Sequence, residues 1–239
     1  MKRSWLAPAA VFSVLALLAC QDRLFDNPYD PQASQAVFEV VNSFYGPAGS
    51  PRGLTWDGIS LWAVDGSNGA LLSLNPANGS LLRALRPAVA GLSGAAYDGA
   101  DLWVCGDADV EFARISSFNG DILKRLNLQR GSFTSLAWGQ GYLWAADAQT
   151  NKILRIAPET GEILGTFADP GTRAAGLAFD GSHFWISDDR TLTIFECGPD
   201  GSVLRRYLSP GPSPQGLAYD GRFLWNADGS GKIYQLRFQ

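Results

Sequence analysis

Histidine is nearly absent from this chain: His183 is the only one in 239 residues. A metal centre built from several histidines is therefore excluded, and a Ser-His-Asp relay has a single position from which to be assembled. There is one Met, and there are three Cys. Basic residues are also in short supply, with 19 Lys and Arg against 23 Asp and Glu and a formal charge of −4. Such a surface gives no reason to expect nucleic acid as a partner. No Gly-rich phosphate loop follows a strand and opens a helix. After Ala36 no stretch of ten or more residues places apolar side chains at three- and four-residue spacing, which excludes a helical repeat. What is plentiful is Gly, at 27 residues, and aromatic side chains, at 12%. Together they suggest many tight turns between short strands, in a chain long enough for one large domain or an array of small repeats.

The N-terminus reads as an address. Met1-Lys2-Arg3 is a short basic start, and Trp5 to Ala19 is apolar except for Pro8 and Ser13. That run is short for a membrane-spanning helix and has the shape of a secretory signal over residues 1–19. It ends Leu17-Leu18-Ala19-Cys20, which resembles the lipobox of bacterial lipoproteins. The resemblance implies a lipidated Cys20 as the mature N-terminus; an ordinary cleaved signal with an incidental Cys is the alternative. Acyl chains partition into a bilayer at roughly 0.8 kcal/mol per buried CH₂, so a lipidated chain hangs from a membrane in the bacterial envelope. Without Lys2 and Arg3 the balance is 17 basic against 23 acidic residues, or −6. Residues 20–35 are polar, carry Pro28 and Pro31 and show no periodicity, as expected of a tether.

From residue 36 to 239 one unit is repeated. Trp62, Trp103, Trp144, Trp185 and Trp225 are 41, 41, 41 and 40 residues apart. Each belongs to the same phrase, as in Gly176-Leu177-Ala178-Phe179-Asp180-Gly181 followed by Phe184-Trp185-Ile186-Ser187-Asp188. Every unit divides into four short segments bounded by turn residues. An Asp-Gly pair follows the first segment in four copies, and Asp-Gly readily supplies the positive φ that a tight hairpin needs. Gly79, Gly120, Gly161 and Gly201 separate the third segment from the fourth. Strands of about five residues joined by short Gly turns make antiparallel sheets, and four strands per unit of about 40 residues is the blade of a β-propeller. The expected fold is all-β, a five-bladed β-propeller with four antiparallel strands per blade.

The last unit lacks a fourth strand. Residues closing each fourth strand precede the next first strand by nine positions, and counting back nine from Gly53 gives Phe44. Residues 36–52 number 17 and residues 216–239 number 24, which together complete a 41-residue repeat. The N-terminal strand Val40 to Phe44 is therefore expected to enter the last blade and close a monomeric ring. Closure removes the uncovered blade faces and sheet edges that an open or dimer-completed array would leave. The five marker Trp and the aromatics Trp56, Tyr97, Trp138, Phe179 and Tyr219 are expected between blades.

The strand order sends the longer, more variable loops to one face. The residues just before the first strands, Arg52, Ser93, Thr134, Ala175 and Gln215, are expected at the mouth of the central channel there, with Arg173 in a neighbouring loop. Asp65, Asp107, Asp147, Asp188 and Asp228 follow the Trp strands. A carboxylate ring for a cation or polar ligand is one reading; acids that bond the backbone of their own turns is the other. Asp109 and Asp189 break the pattern and join Arg52, Ser93, Thr134, Arg173 and Gln215 as candidate ligand-binding residues. No catalytic residue, cofactor or metal site is assigned. His183 belongs to a turn on the opposite face, and Cys105 and Cys197 are expected as buried thiols in blades that do not touch.

The repeated phrase, for instance Gly216-Leu217-Ala218-Tyr219-Asp220-Gly221 with Phe223-Leu224-Trp225-Asn226-Ala227-Asp228, resembles the NHL/YVTN-like propeller superfamily. That group includes binding scaffolds, envelope proteins, streptogramin lyases and gluconolactonases, so the resemblance speaks for fold more than for activity. The blade count also resembles the glutaminyl cyclotransferases of the plant and bacterial type. That family carries a Glu before one of its Gly-Leu first strands, where this chain has Arg52, Ser93, Thr134, Ala175 and Gln215. Streptogramin lyases use a His at the channel, and none stands there. The expectation is a non-catalytic, lipid-anchored propeller binding a protein partner or small polar ligand at the long-loop mouth. A cyclotransferase-like or lyase-like enzyme is the alternative, and a tethered spacer between envelope proteins is a third.

Overall fold

The computed structural model describes residues 35–106, 111–128 and 131–238; the signal segment, Cys20, most of the tether, Asp107 and Asp109 lie outside them. All the described regular elements are strands. Two come first, β1 (Gln35–Ala36) and β2 (Glu39–Tyr45). Blade one holds β3 (Pro51–Trp56), β4 (Leu61–Asp65), β5 (Ala70–Leu74) and β6 (Leu81–Leu85). Blade two holds β7 (Leu92–Tyr97), β8 (Leu102–Gly106), β9 (Glu111–Ile115) and β10 (Ile122–Asn127). In blade three these are β11 (Phe133–Gly139), β12 (Tyr142–Asp147), β13 (Lys152–Ile156) and β14 (Ile163–Ala168). Blade four follows as β15 (Ala174–Phe179), β16 (Phe184–Asp188), β17 (Thr193–Cys197) and β18 (Val203–Leu208). Blade five has β19 (Pro214–Tyr219), β20 (Leu224–Asp228) and β21 (Lys232–Arg237) from the C-terminus, and its outermost strand is β2.

The five inner strands β3, β7, β11, β15 and β19 neighbour one another in a closed circle. The ring is shut where the sequence places it: β2 runs antiparallel to β21, with Phe44 opposite Ile233. An element without counterpart in the repeat reinforces the closure. β1 lies parallel to β18 on the outer edge of blade four. Phe38, between the two strands, is buried and stacks on Tyr207 at 4.3 Å between ring centroids. The N-terminal segment thus bridges blades four and five.

Why every residue of β4, β8, β16 and β20 is buried follows from alternation along a strand. Leu61 and Ala63 face blade five while Trp62 and Val64 face blade two. The same division recurs round the ring, so the core consists of five seams between neighbouring blades. A marker Trp fills each seam. In blades one, two, four and five the indole N–H donates to the Asp of the Asp-Gly turn five residues earlier, at 2.7, 3.0, 2.9 and 2.8 Å. The same Asp accepts turn amides through its other oxygen, as Asp57 does from Ile59 and Ser60. The Asp therefore caps a turn and satisfies a buried indole at once. Blade three has no Asp here; its two-residue turn, Gln140-Gly141, has φ of 55° and 80°, and Trp144 donates to Gly139 O at 3.2 Å.

A five-bladed ring is tight at its centre. A Cβ on Gly94 would stand 2.8 Å from both Ser135 Cα and Leu136 N, backbone atoms of the next inner strand. Gly53, Gly176 and Gly216 meet neighbouring backbone in the same way. The third copy has Ser135, whose hydroxyl accepts the Leu177 N–H at 3.0 Å. Gly94→Ala is expected to lower stability in urea by about 1–3 kcal/mol, because the added methyl forces two inner strands apart. An unchanged midpoint would mean that the inner strands are not in contact there.

Beyond this waist lies the narrow end of the channel, about 90 Å³, ringed by Trp56, Tyr97, Trp138, Phe179 and Tyr219. These aromatics are only half-buried: they pack partly on the seams and partly around the channel rather than wholly between blades. Cys105 and Cys197 are buried in different seams, and no disulfide joins them; burial pushes the Cys197 thiol up to about 12.

Candidate functional site

At the wide end of the channel, alternation aims side chains inward two residues at a time. Arg52, Ser93, Thr134, Ala175 and Gln215 line one cavity of about 410 Å³. Two residues earlier in the same register stand Ser50, Ser132, Arg173 and Ser213, and they line it too. The chemistry of the cavity is thus set by two stacked rings of residues, and Arg173 is blade four's member of the upper one. Asp189, in the turn after β16, completes the wall. The structure therefore brings together six of the seven candidates; the seventh, Asp109, lies outside the described residues. Ser50, Ser132 and Ser213 were missed in the sequence, although the two-residue alternation that places Arg52 and Gln215 at the mouth also places them.

Several of these groups are committed to holding the ring. Ser93 donates its hydroxyl to Phe133 O at 2.6 Å, and Thr134 donates to Ala174 O at 2.6 Å, each crossing to the next blade. The Arg52 side chain lies across Gly66, where any Cβ would collide with it. Arg173 reaches Asp189, Nη1 to Oδ2, at 3.3 Å.

The described acids that follow the Trp strands bond loop backbone. Asp65 accepts from Ser67 N at 3.0 Å, Asp147 from Gln149 N at 3.0 Å and Ser132 N at 2.9 Å, and Asp228 from Ser230 N at 2.9 Å and Ser213 N at 2.8 Å. Asp188 accepts from Thr172, Arg173, Arg190 and Thr191 amides. Asp147, Asp188 and Asp228 each tie the turn of their own hairpin to the loop that enters the blade, which fixes the rim of the cavity. Burial raises the Asp188 carboxyl, but the amides of Thr172, Thr191, Arg190 and Arg173 outweigh it and hold the group below the ordinary carboxylate range. Asp57 and Asp180 are lowered in the same manner, against burial, by turn amides and the Trp62 or Trp185 indole. Asp169, in the loop before β15, is raised: its burial exceeds the help of Gly171 and Ala174 N–H, and Asp188 adds repulsion.

A pH dependence follows from the lowered group. With folded values below the unfolded one, Asp57, Asp180 and Asp188 bind fewer protons folded than unfolded, so their contribution is complete above the unfolded value. It is lost as pH falls from about 4 through the folded values. Urea midpoints measured from pH 6 down to pH 2 should fall below about pH 4, and less steeply in Asp188→Asn. A variant whose slope matches the parent's would remove Asp188 from that account.

On the opposite face His183 Nδ1 sits 3.4 Å from Asp180 Oδ2 and 3.9 Å from Glu196 Oε1, partly exposed. It is remote from the cavity lining. Among the described residues no three His, Cys, Asp or Glu side chains gather in a way that could hold a metal ion.

No protein-family model matches the sequence. No curated protein matches it either. Solved structures do resemble the fold. Myxococcus xanthus glutaminyl cyclase superposes with a TM-score of 0.72 at 13% identity, covering 85% of this chain and 97% of that one. A catalytically inactive virginiamycin B lyase from Staphylococcus aureus, solved with quinupristin, gives 0.52 at 21% identity over 81% of this chain and 68% of that one. A β-propeller domain from Myceliophteria thermophila gives 0.55 at 11% identity over 84% of this chain and the whole of that one. At these identities the likeness is one of fold: the chain is a five-bladed β-propeller.

Proposed function

We propose that this protein is a lipid-anchored binding protein of the bacterial envelope, held by Cys20, whose propeller takes a small polar ligand or an exposed polar segment of a partner protein at the wide mouth. The observation that carries the reading is a cavity of about 410 Å³ into which all five blades send a polar candidate side chain. That volume suits a small ligand. The described rim is held firmly, because Asp147, Asp188 and Asp228 and two of the cavity's hydroxyls are tied to backbone. Rigid walls favour binding, since little ordering cost remains when the ligand arrives. The anchor rests on the Leu17-Leu18-Ala19-Cys20 motif, and the acidic balance of the chain argues against a nucleic-acid partner.

A ligand-library thermal shift on the full chain in detergent tests the site. A stabilising compound should lose its effect in the combined Arg52→Ala, Arg173→Ala, Gln215→Ala variant. An undiminished shift would place binding elsewhere. Radiolabelled palmitate should enter the parent and not Cys20→Ser; equal labelling would remove the anchor.

One feature favours an enzyme as a second reading. Asp189 is a carboxylate in the cavity wall with one buried oxygen lacking a partner, the kind of group that serves as acid or base. Incubation with a peptide bearing an N-terminal Gln is the simplest check. Cyclisation above the uncatalysed rate, lost in Asp189→Asn, would replace the binding reading with this one.

A further inference from the structure

One position of the repeat sets blade one apart. The third-strand residue opposite the marker Trp is, in blade order, Ser73, Arg114, Arg155, Glu196 and Gln235. Four blades place a long side chain there, and blades two and three place a guanidinium. Arg114 meets the Asp of its own Asp-Gly turn, Nε to Asp98 Oδ2 at 2.9 Å, and meets Asp101 through Nη2 at 3.2 Å. Arg155, in the blade that has no such Asp, lies over the rings of Tyr142 and Trp144, 5.1 and 6.0 Å from their centroids. A guanidinium beside the marker Trp is therefore something this blade is built to accept.

In blade one the short Ser73 leaves a cleft of about 330 Å³ on the face opposite the wide mouth. Asp57, Trp62, Ser73, Leu82, Arg83 and Tyr97 stand in its wall. Asp57 is the counterpart of Asp98, yet its described partners are neutral. The Ile59 and Ser60 amides bond one oxygen, and the Ser60 hydroxyl and Trp62 indole bond the other. Ser73 donates to Ser60 Oγ at 2.9 Å, so two small hydroxyls stand where blade two has Arg114. They satisfy hydrogen bonds without supplying positive charge or filling the space. Arg83, opposite Ser73 in register, donates to Ser117 O and Phe118 O at 3.0 and 3.2 Å. Its counterpart Lys124 stands opposite Arg114, so blade two already seats a guanidinium beside a second cation.

We propose that this cleft binds an arginine side chain from an exposed segment of a partner protein, seated as Arg114 is in blade two. The guanidinium pairs with Asp57. The Ser60 hydroxyl, free to rotate, accepts a second N–H in the place of Asp101. Asp57 is half-buried, so the pair is screened less than one in open solvent. The apolar rim points to a protein segment as the source. Ile59 and Leu82 line the entrance 82% and 56% exposed, and Phe118, stacked on Arg83, is 77% exposed. A lone small cation leaves these side chains in water, whereas apolar residues flanking an arginine in a chain cover them.

The test is a nitrogen–proton NMR titration of the full chain in detergent with acetyl-Leu-Arg-Leu-amide and with the same peptide carrying citrulline, a neutral near-isostere of arginine. The Trp62 indole N–H, bonded to Asp57, is the reporter. The Trp103 indole, whose Asp98 already holds Arg114, is the control. The arginine peptide is expected to shift Trp62 saturably, to bind about tenfold more tightly than the citrulline peptide and to leave Trp103 unmoved. Asp57→Asn should bring the two peptides to near-equal affinity. Ser73→Arg should seat a guanidinium from the chain itself and abolish binding of both peptides; it serves if the Asp57 variant does not fold. No saturable shift at Trp62, equal affinity of the parent for the two peptides, or undiminished binding in Ser73→Arg overturns the proposal. N-acetyl-arginine-amide binding as tightly as the tripeptide overturns it too, because the apolar rim would then have no part in recognition.

Discussion

Removing residues 37–44 is expected to unfold the whole ring rather than shorten it. The segment contributes nearly all of the outer strand of blade five, paired to β21 from Glu39 opposite Arg237 to Phe44 opposite Ile233. It also contributes Phe38, buried against Tyr207 and Trp185, and Phe44, which packs on Trp225 and the seam between blades five and one. Loss of a large buried aromatic costs about 3–5 kcal/mol. That loss at Phe38, the lost packing of the half-buried Phe44 and an unpaired β21 are together comparable to the whole stability of an ordinary domain, about 5–15 kcal/mol. In a chain of blades that touch only their neighbours, opening one blade exposes two seams. The truncated chain should therefore show no cooperative urea transition at 25 °C. A truncated chain as resistant as the parent would show that blade five stands with three strands.

The second large effect is expected at Trp144. It is 6% exposed and lies in the seam between blades three and four, 4.5 Å from Phe184 and 6.0 Å from Phe167, ring centroid to centroid. Phe167 and Phe179 also touch Phe184, at 5.3 and 4.9 Å, so one aromatic cluster spans both blades. The rings meet tilted, at interplanar angles of 42° to 59°, rather than as face-to-face sandwiches. Trp144→Ala removes the ring bridging β12 to blade four and leaves a cavity that rigid strands cannot close. The expected loss is about 3–5 kcal/mol in chemical denaturation. An unchanged midpoint would refute the placement of the marker Trp in the seams.

The architecture was legible because a repeat carries its own register. Five Trp fix the blade count, and nine residues from Phe44 to Gly53 fix the clasp. Features that do not repeat, or that serve two purposes, were less visible. β1 has two residues and no counterpart in other blades, so no period announces it. Asp57 and Trp62 stand five apart, as do Asp98 and Trp103, Asp180 and Trp185, Asp220 and Trp225. Read as turn chemistry, the Asp concealed its bond to the indole; the one copy lacking Asp, at Gly139, was the clue that turn and bond are separable. Gly53, Gly94, Gly176 and Gly216 marked strand starts, but their reason is the close approach of neighbouring inner strands, which the repeat phrase alone does not announce. At the mouth, position was legible and pairing was not. Arg52, Ser93, Thr134, Ala175 and Gln215 face the cavity as expected, although each is the second residue of its inner strand rather than the residue before it, whereas the poor Arg173–Asp189 contact depends on two loops of one blade converging.

Hydrogen exchange on the clasp tests the account most directly. If head and tail share a blade, the amides of β2 that bond to β21 open only with the ring, and their protection equals that of β20 and β21. The account predicts one common opening free energy for these three strands in urea. Amides of residues 39–45 that exchange at the rate of an unstructured peptide, while β20 and β21 stay protected, would contradict it.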